Sequence, residues 1–177
     1  YDQTIEQHVL PKLMETLETS SDYRQRRSEI TKFNQSSTVL RRGLALTPVK
    51  FGISFTAKHL NQAGALVHIY TDGSIHVNHG GTEMGQGRYI KVAQVVASAF
   101  QVDLERVKVS ATRTDKVPNT SPTAASSGSD LNGMAALDAC EKILAGLTDF
   151  AVQNWSVSPE AIHFSDNQVQ IGDLQMP

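Results

Sequence analysis

Apolar residues at Val9, Leu10, Leu13, Met14 and Leu17 recur every three or four positions, the period of one helix face. Pro11 fits only within a first turn, so a short helix is predicted from about Pro11. Ser20 and Ser21 are expected to cap a second helix whose buried face is Tyr23, the stems of Arg26 and Arg27, Ile30 and Phe33, ending near Asn34. From Val39 to Phe55 the period shortens. Leu44, Leu46, Val49, Phe51, Ile53 and Phe55 alternate or nearly alternate, interrupted by Gly43, Pro48 and Gly52, which predicts bulged or edge strands.

Two strands, Ala65 to Tyr70 and Ile75 to Asn78, flank Asp72-Gly73, a dipeptide suited to the positive φ angles of a tight hairpin turn. The hairpin leads directly into Gly80-Gly81-Thr82-Glu83-Met84-Gly85-Gln86-Gly87. Ile90, Val92, Val95, Val96, Ala99 and Phe100 then form a helical apolar face, and Val102, Leu104, Val107 and Val109 lead into another strand, a βαβ-like passage. Residues 112–127 are rich in Thr, Ser, Pro and Asn, the composition of a long functional or disordered loop. Ser126-Ser127-Gly128-Ser129-Asp130 precedes a second helix marked by Leu131, Met134, Leu137, Ile143 and Leu144. A short hairpin closes the chain, Ile162 to Phe164 and Val169 to Ile171 around Asp166-Asn167. The fold class is α+β, a mixed sheet with a hairpin and packed helices. Residues 1–36 read as a helical segment and residues 37–177 as part of an α+β domain.

Composition narrows the function classes. The 177 residues are 40% hydrophobic and 19% charged, enough for one domain with a real core or two small ones. A net charge of -2 and a pI near 6.3 argue against nucleic acid, and Arg24-Gln25-Arg26-Arg27 reads as a solvated helix face. The single cysteine, Cys140, excludes an internal disulfide framework and a cysteine-based zinc or iron-sulfur site from this chain alone, which fits a reducing, cytoplasmic setting. No apolar run approaches membrane-spanning length. The abrupt ends, Tyr1 and a Pro177 that follows a strand-like pattern, predict a piece of something larger.

The chemistry concentrates at two helix starts. Glycines after a strand allow a tight turn and close approach to a ligand, and the first N–H groups of the next helix are expected to be unpaired and electropositive. Met84-Gly85-Gln86-Gly87 offers backbone donors and the Gln86 amide, while Ser126, Ser127, Gly128 and Ser129 offer backbone donors and hydroxyls. Together they could hold a flat, polar, anionic cofactor; taken separately, each motif also suits plain turn and cap chemistry.

Other candidates point to structure. His76 and His79, three apart at a strand exit, face opposite sides and cannot easily share a metal. Glu83 lacks an apolar pocket or a partner that would make it a general base. Cys140 falls among Ala136, Ala139 and Ile143 as a packing thiol, Trp155 as packing near the last helix end, and Asp115 with Lys116 as an exposed ion pair.

Arg41 to Ala45, Lys50 to Phe55, Leu60 to Ala65, Gly80 to Gly87, Val117 to Ser126 and Asp130 to Gly133 together resemble the molybdopterin-binding subunit of the xanthine dehydrogenase family, in the same order and most closely from about Leu40 to Leu144. The resemblance implies a fragment of the molybdenum-cofactor domain of a molybdenum hydroxylase that oxidises hypoxanthine and xanthine to urate with oxygen from water. Electrons would pass to FAD and 2Fe-2S clusters on other domains or subunits. It implies a purine substrate, an FAD/iron-sulfur partner subunit or domain, and a homo-oligomer of heterodimers. The residues it assigns to the pyranopterin cradle are Met84, Gly85, Gln86, Thr123, Ser126, Ser127, Gly128 and Ser129. Gly128 departs from the pattern, because relatives can carry serine there; a backbone contact or a neighbouring hydroxyl would have to take over.

The family's Gly-Glu-Pro-Pro, Gly-Gly-Gln-Glu and Phe-Gly-Gly-Lys-Glu contexts do not occur in this sequence. The chain is therefore expected to supply cofactor-binding residues, no catalytic residue and no metal ligand, and to be inactive when isolated. An aldehyde oxidase-type hydroxylase, or a noncatalytic folding or subunit-contact module, are the other readings these residues admit.

Overall fold

The computed structural model describes residues 4–49, 52, 55–116 and 118–177. Contacts divide the chain into two compact units, residues 1–52 and 53–177.

In the first unit the helical periodicity is realised as α1 (Leu10–Ser20), with proline in its first turn, and α2 (Tyr23–Ser36). The expected serine cap does not form. Ser21 Oγ donates 2.6 Å back to Leu17 O, and Asp22, with φ +50°, turns the chain into α2. Tyr23, Ile30 and Phe33 are half-buried on one face of α2, as their spacing predicts. The strand expected over Val39–Phe55 is absent from residues 39–49, where the chain is irregular; Phe51 and Ile53 lie outside the described residues. Side chains of α2 take up the backbone groups a strand would have shared. Asn34 donates to Arg42 O and accepts from Arg42 N, both at 2.9 Å, and Arg27 Nη1 donates 3.0 Å to Leu44 O. The Arg42 guanidinium also lies 3.8 Å over the Phe33 ring.

The second unit is built on the hairpin. β1 (Ala65–Ile69) pairs antiparallel with β2 (Ile75–His79), in a register that sets Val67 opposite Val77 and Ile69 opposite Ile75. The turn is longer than the two-residue type expected. It spans residues 70–74, Gly73 alone takes positive φ, and Asp72 Oδ1 accepts the Ser74 N–H and hydroxyl instead. α3 (Arg88–Phe100) follows the glycine-rich loop, and β3 (Val107–Val109) then joins β2 in parallel, so β2, α3 and β3 form the expected βαβ unit in a mixed sheet. α4 (Gly128–Trp155) packs on both α3 and β1.

The core is Val67, Ile75 and Val77 from the sheet, Val92, Ala93, Val96, Ala97 and Phe100 from α3, Val107, and Ala136 and Cys140 from α4. Ala93 and Ala97 replace Ile90 and Ala99 on the most buried face of α3, because small side chains let two helices approach; Ile90 is left 49% exposed. Cys140 is fully buried, and burial raises its thiol pKa to about 11, which fits an inert packing thiol. The closing hairpin, β4 (Ile162–Ser165) and β5 (Gln168–Ile171), turns through Asp166 and Asn167, both at positive φ, and gains a third strand, β6 (Leu174–Met176). Ile162 and Ile171 pack with Ala151 of α4 in a small second core. Trp155, the last residue of α4, meets Phe150 edge-on at 6.0 Å.

Candidate functional site: two helix starts and the loop between them

The parallel crossing from β2 to β3 fixes the site, because it brings the exit of β2 and the start of α3 beside the start of α4. The long polar loop, residues 112–127, is laid across them by hydrogen bonds. Ser121 N donates 2.9 Å to Gln62 O while Gln62 N donates 2.9 Å to Ser121 Oγ, Thr120 Oγ1 donates 3.0 Å to Gln62 O, and Ser121 Oγ makes a short bond to Leu60 O. Thr112 Oγ1 donates 2.8 Å to Gly81 O, and Tyr89 OH accepts the Thr112 N–H at 3.0 Å. The ion pair predicted within the loop is rearranged: Asp115 pairs with Arg113 at 3.1 Å rather than with Lys116.

The two helix starts differ in a way the sequence does not reveal. At α3 the donors are engaged by the chain's own carboxylate. Glu83 accepts the N–H groups of Gly85 at 2.8 Å and Gly87 at 3.1 Å through Oε1, and that of Tyr89 at 3.0 Å through Oε2. These bonds, that from Tyr89 first, hold the Glu83 carboxyl below its ordinary range. Gln86 is folded onto the same loop, accepting from Met84 N at 2.6 Å and donating 2.9 Å to Thr82 O. The unpaired amides expected here are thus satisfied internally, and Met84 is left 69% exposed.

At α4 the donors are free. No side chain caps the helix, and Ser127 Oγ donates 3.2 Å to Ala124 O instead. The amides of Gly128, Ser129 and Asp130 have no acceptor among the described residues, whereas Leu131 N–H already reaches Ser127 O at 3.0 Å. Ala125 and Ser126, both with φ near +54°, aim the chain into the helix. Gly128 is buried and Ser126 is exposed, with Ser127 and Ser129 between. Thr123 joins the two starts: its Oγ1 accepts the Thr82 N–H at 2.9 Å and Arg88 Nη1 at 3.0 Å. The structure therefore brings Thr123 and Gly128 together at the Arg88 guanidinium, leaves Ser126 exposed beside them, and keeps Met84, Gly85 and Gln86 in the adjoining loop.

That cluster includes residues the sequence reading passed over. Arg88, the first residue of α3, is 5% exposed, and Asn132 is 2% exposed. A β-carbon at Gly81 would stand 2.7 Å from Arg88 Cδ and 2.8 Å from Asn132 Nδ2, and one at Gly128 would overlap the Arg88 guanidinium. Three buried polar atoms here have no partner: Arg88 Nε, Asn132 Oδ1 and His79 Nε2. One sequence signal was available for Arg88, a cation at the electropositive start of a helix. His79 is 1% exposed and accepts the Gly81 N–H at Nδ1, 3.1 Å, so its proton sits on Nε2. Burial, and then the Arg88 charge, push its pKa below 6.5.

This pair of shifts has a measurable consequence. A histidine kept neutral in the fold takes up a proton more readily when unfolded, so stability drops as pH falls below about 6.5. The lowered Glu83 pKa adds a further loss at more acid pH, as its carboxylate protonates and the α3 cap goes. Melting temperature followed from neutral to acid pH should decline in these two stages, and His79→Gln should flatten the first. A wild-type profile unchanged through the histidine range would contradict it.

Elsewhere, an apolar cleft of about 320 Å³ lies at the opposite end of α4, lined by Phe100, Phe150, Trp155, Ile162, Val169 and Met176. Its lining is mainly apolar, with Arg106, Asn167 and Gln168 as its polar side chains. Among the described residues no cluster of His, Cys, Asp or Glu could hold a metal, and no helix is long and apolar enough to cross a membrane.

A βαβ unit whose glycine-rich turn meets a second helix start at a buried arginine and asparagine is the frame of a cofactor-binding domain. The chain belongs to the molybdopterin cofactor-binding domain family, which matches residues 16–176. It is 54% identical over 151 residues to xanthine dehydrogenase 1 of Arabidopsis thaliana, 85% of this chain and 11% of that protein. It is 51% identical to xanthine dehydrogenase of Dictyostelium discoideum over 89% of this chain and 12% of that protein. With xanthine dehydrogenase/oxidase of Felis catus it shares 49% over 90% and 12%. The chain thus spans about an eighth of the length of these relatives. The fold is also that of CO dehydrogenase from Oligotropha carboxidovorans, TM-score 0.56 at 16% identity over 98% of this chain and 22% of that one. Quinoline 2-oxidoreductase from Pseudomonas putida 86 matches at TM-score 0.58 and 23% identity over 66% and 15%.

Proposed function

We propose that this chain is the part of a xanthine dehydrogenase that cradles the pyranopterin of its molybdenum cofactor, and that the intact protein hydroxylates hypoxanthine and xanthine to urate. The observation that carries the reading is the cluster at the start of α4, where Arg88 Nε and Asn132 Oδ1 are buried without partners and two glycines, Gly81 and Gly128, let the Arg88 side chain lie against their backbone. Buried polar atoms without partners are rare in native proteins, and a polar ligand at the helix start would account for these. The identity of about half to three xanthine dehydrogenases supports the purine assignment.

In this reading Thr123, Ser126, Ser127, Gly128 and Ser129 hold the cofactor through hydroxyls and free amides of α4. Met84, Gly85 and Gln86 contact the pterin from the adjoining loop, where Gln86 exchanges an internal hydrogen bond for one to the ligand. The bound group supplies the redox chemistry and the activation of water. The protein's task in this segment is orientation by preorganised donors. The FAD and 2Fe-2S groups belong to other domains or subunits, the setting is cytoplasmic, and the assembly is a homo-oligomer of heterodimers. Residues 1–36 serve as a helical segment and residues 37–177 as part of the cofactor domain. Exposed apolar side chains such as Val39, Leu40, Val49 and Phe150 are then covered by the remainder of the protein.

The test is molybdenum and oxidised-pterin content of the full-length protein, purified from a host that makes the cofactor, together with xanthine-dependent reduction of NAD. Stoichiometric pterin with purine turnover is expected. A folded protein without pterin would sink the cradle, and pterin with turnover of aldehydes but not purines would sink the substrate assignment.

A further inference from the structure

Among the described residues Arg88 is the one buried side chain with a permanent charge, and it has no carboxylate partner. Its single side-chain hydrogen bond is the one to neutral Thr123, and Nε has no acceptor. Its position is electrostatically wrong for an empty fold. The guanidinium lies against Gly128 at the first turn of α4, a 28-residue helix, while Arg88 itself opens α3, so one cation faces the positive ends of two helices. The nearby acids do not compensate. Glu83 commits its oxygens to the amides of Gly85, Gly87 and Tyr89, and Asp130 is exposed on the outer side of the first turn. His79 is held neutral.

Burying an unpaired cation is strongly unfavourable, and an anion bound here would offset it while also filling the free amides of Gly128, Ser129 and Asp130. A guanidinium fork beside a helix start matches phosphate oxygens in charge and geometry. We propose that Arg88 is the charge-bearing residue for the cofactor's phosphate, taking with the first turn of α4 the place that a serine hydroxyl at position 128 would otherwise fill. Gly128 is then the partner of Arg88: the missing side chain makes room for the guanidinium. This rests on the cradle reading of the preceding section.

The experiment uses full-length protein in four forms: wild type, Arg88→Leu, Arg88→Lys, and Arg88→Leu with Gly128→Ser. Each is purified from a cofactor-making host for pterin content, and from a host without the cofactor for melting temperature with and without inorganic phosphate or pyrophosphate. Arg88→Leu is expected to retain roughly tenfold less pterin, the loss of one charge-assisted phosphate contact. It should also lose the melting shift that the anions give wild type, while its own melting temperature without anion is unchanged or higher. Arg88→Lys should keep part of both, and the hydroxyl that Gly128→Ser adds should recover part of the pterin. A larger shift with pyrophosphate than with phosphate would indicate a nucleotide-extended cofactor, and the reverse the plain monoester; either supports the proposal. It is overturned if Arg88→Leu keeps full pterin and anion response, or if its melting temperature without anion falls in step with its pterin content. If wild type itself carries no pterin, the cradle reading fails instead.

Discussion

Replacing Ile75 by alanine is expected to destabilise the cofactor-binding unit by about 2–5 kcal/mol, the usual cost of truncating a large buried aliphatic side chain. Ile75 is 2% exposed at the start of β2, between antiparallel β1 and parallel β3, and it belongs to the cluster formed with α3 and α4. The cavity would open where three strands and two helices meet, so no single loop can collapse to fill it. Urea unfolding of the chain, followed by circular dichroism, should show a lower midpoint with an unchanged slope. Leu66→Ala, on the same hairpin but 57% exposed, serves as the control and should change little. Equal effects of the two would contradict this account of the core.

Gly80→Val is expected to cost roughly 1–3 kcal/mol by overpacking and to dislodge the polar loop. A β-carbon at Gly80 would stand 2.8 Å from Thr120 Cβ and 2.9 Å from the Pro118 carbonyl oxygen. A side chain could rotate away, but a carbonyl cannot, so the segment 118–123 has to move as a body. Thr123 is the residue that this segment carries to Arg88 and Thr82, so the link between the two helix starts is lost. Limited proteolysis should then cut within residues 112–127, and pterin retention of the full-length variant should drop. Wild-type resistance with full pterin would show that the contact between Gly80 and the loop is dispensable. Gly85→Ala gives a contrast: nothing lies near its β-carbon, so its penalty comes from φ +94° alone.

Periodicity alone carried the helices, the hairpin and the βαβ passage, because each is a local pattern of three to four, or two, residues repeated against one buried face. It failed at residues 39–49, where alternation is present but, among the described residues, no partner strand is: Asn34 and Arg27 supply the backbone's partners from α2. It also misplaced the caps. Ser21 and Ser127 have the right side chains for an N-cap, yet both hydroxyls turn back to the carbonyl of an earlier residue.

The class of domain, the two glycine- and serine-rich helix starts and a buried packing thiol were all legible in the linear chain. Which of the two starts is open was not. Glu83 closes the first through a bond to Tyr89 that no periodicity encodes, while the second stays free because its neighbour across the fold is Arg88, far earlier in the chain. A cation's partner is set by what the packing of α3 on α4 brings within reach, and that pairing across the fold is the information a linear pattern does not carry.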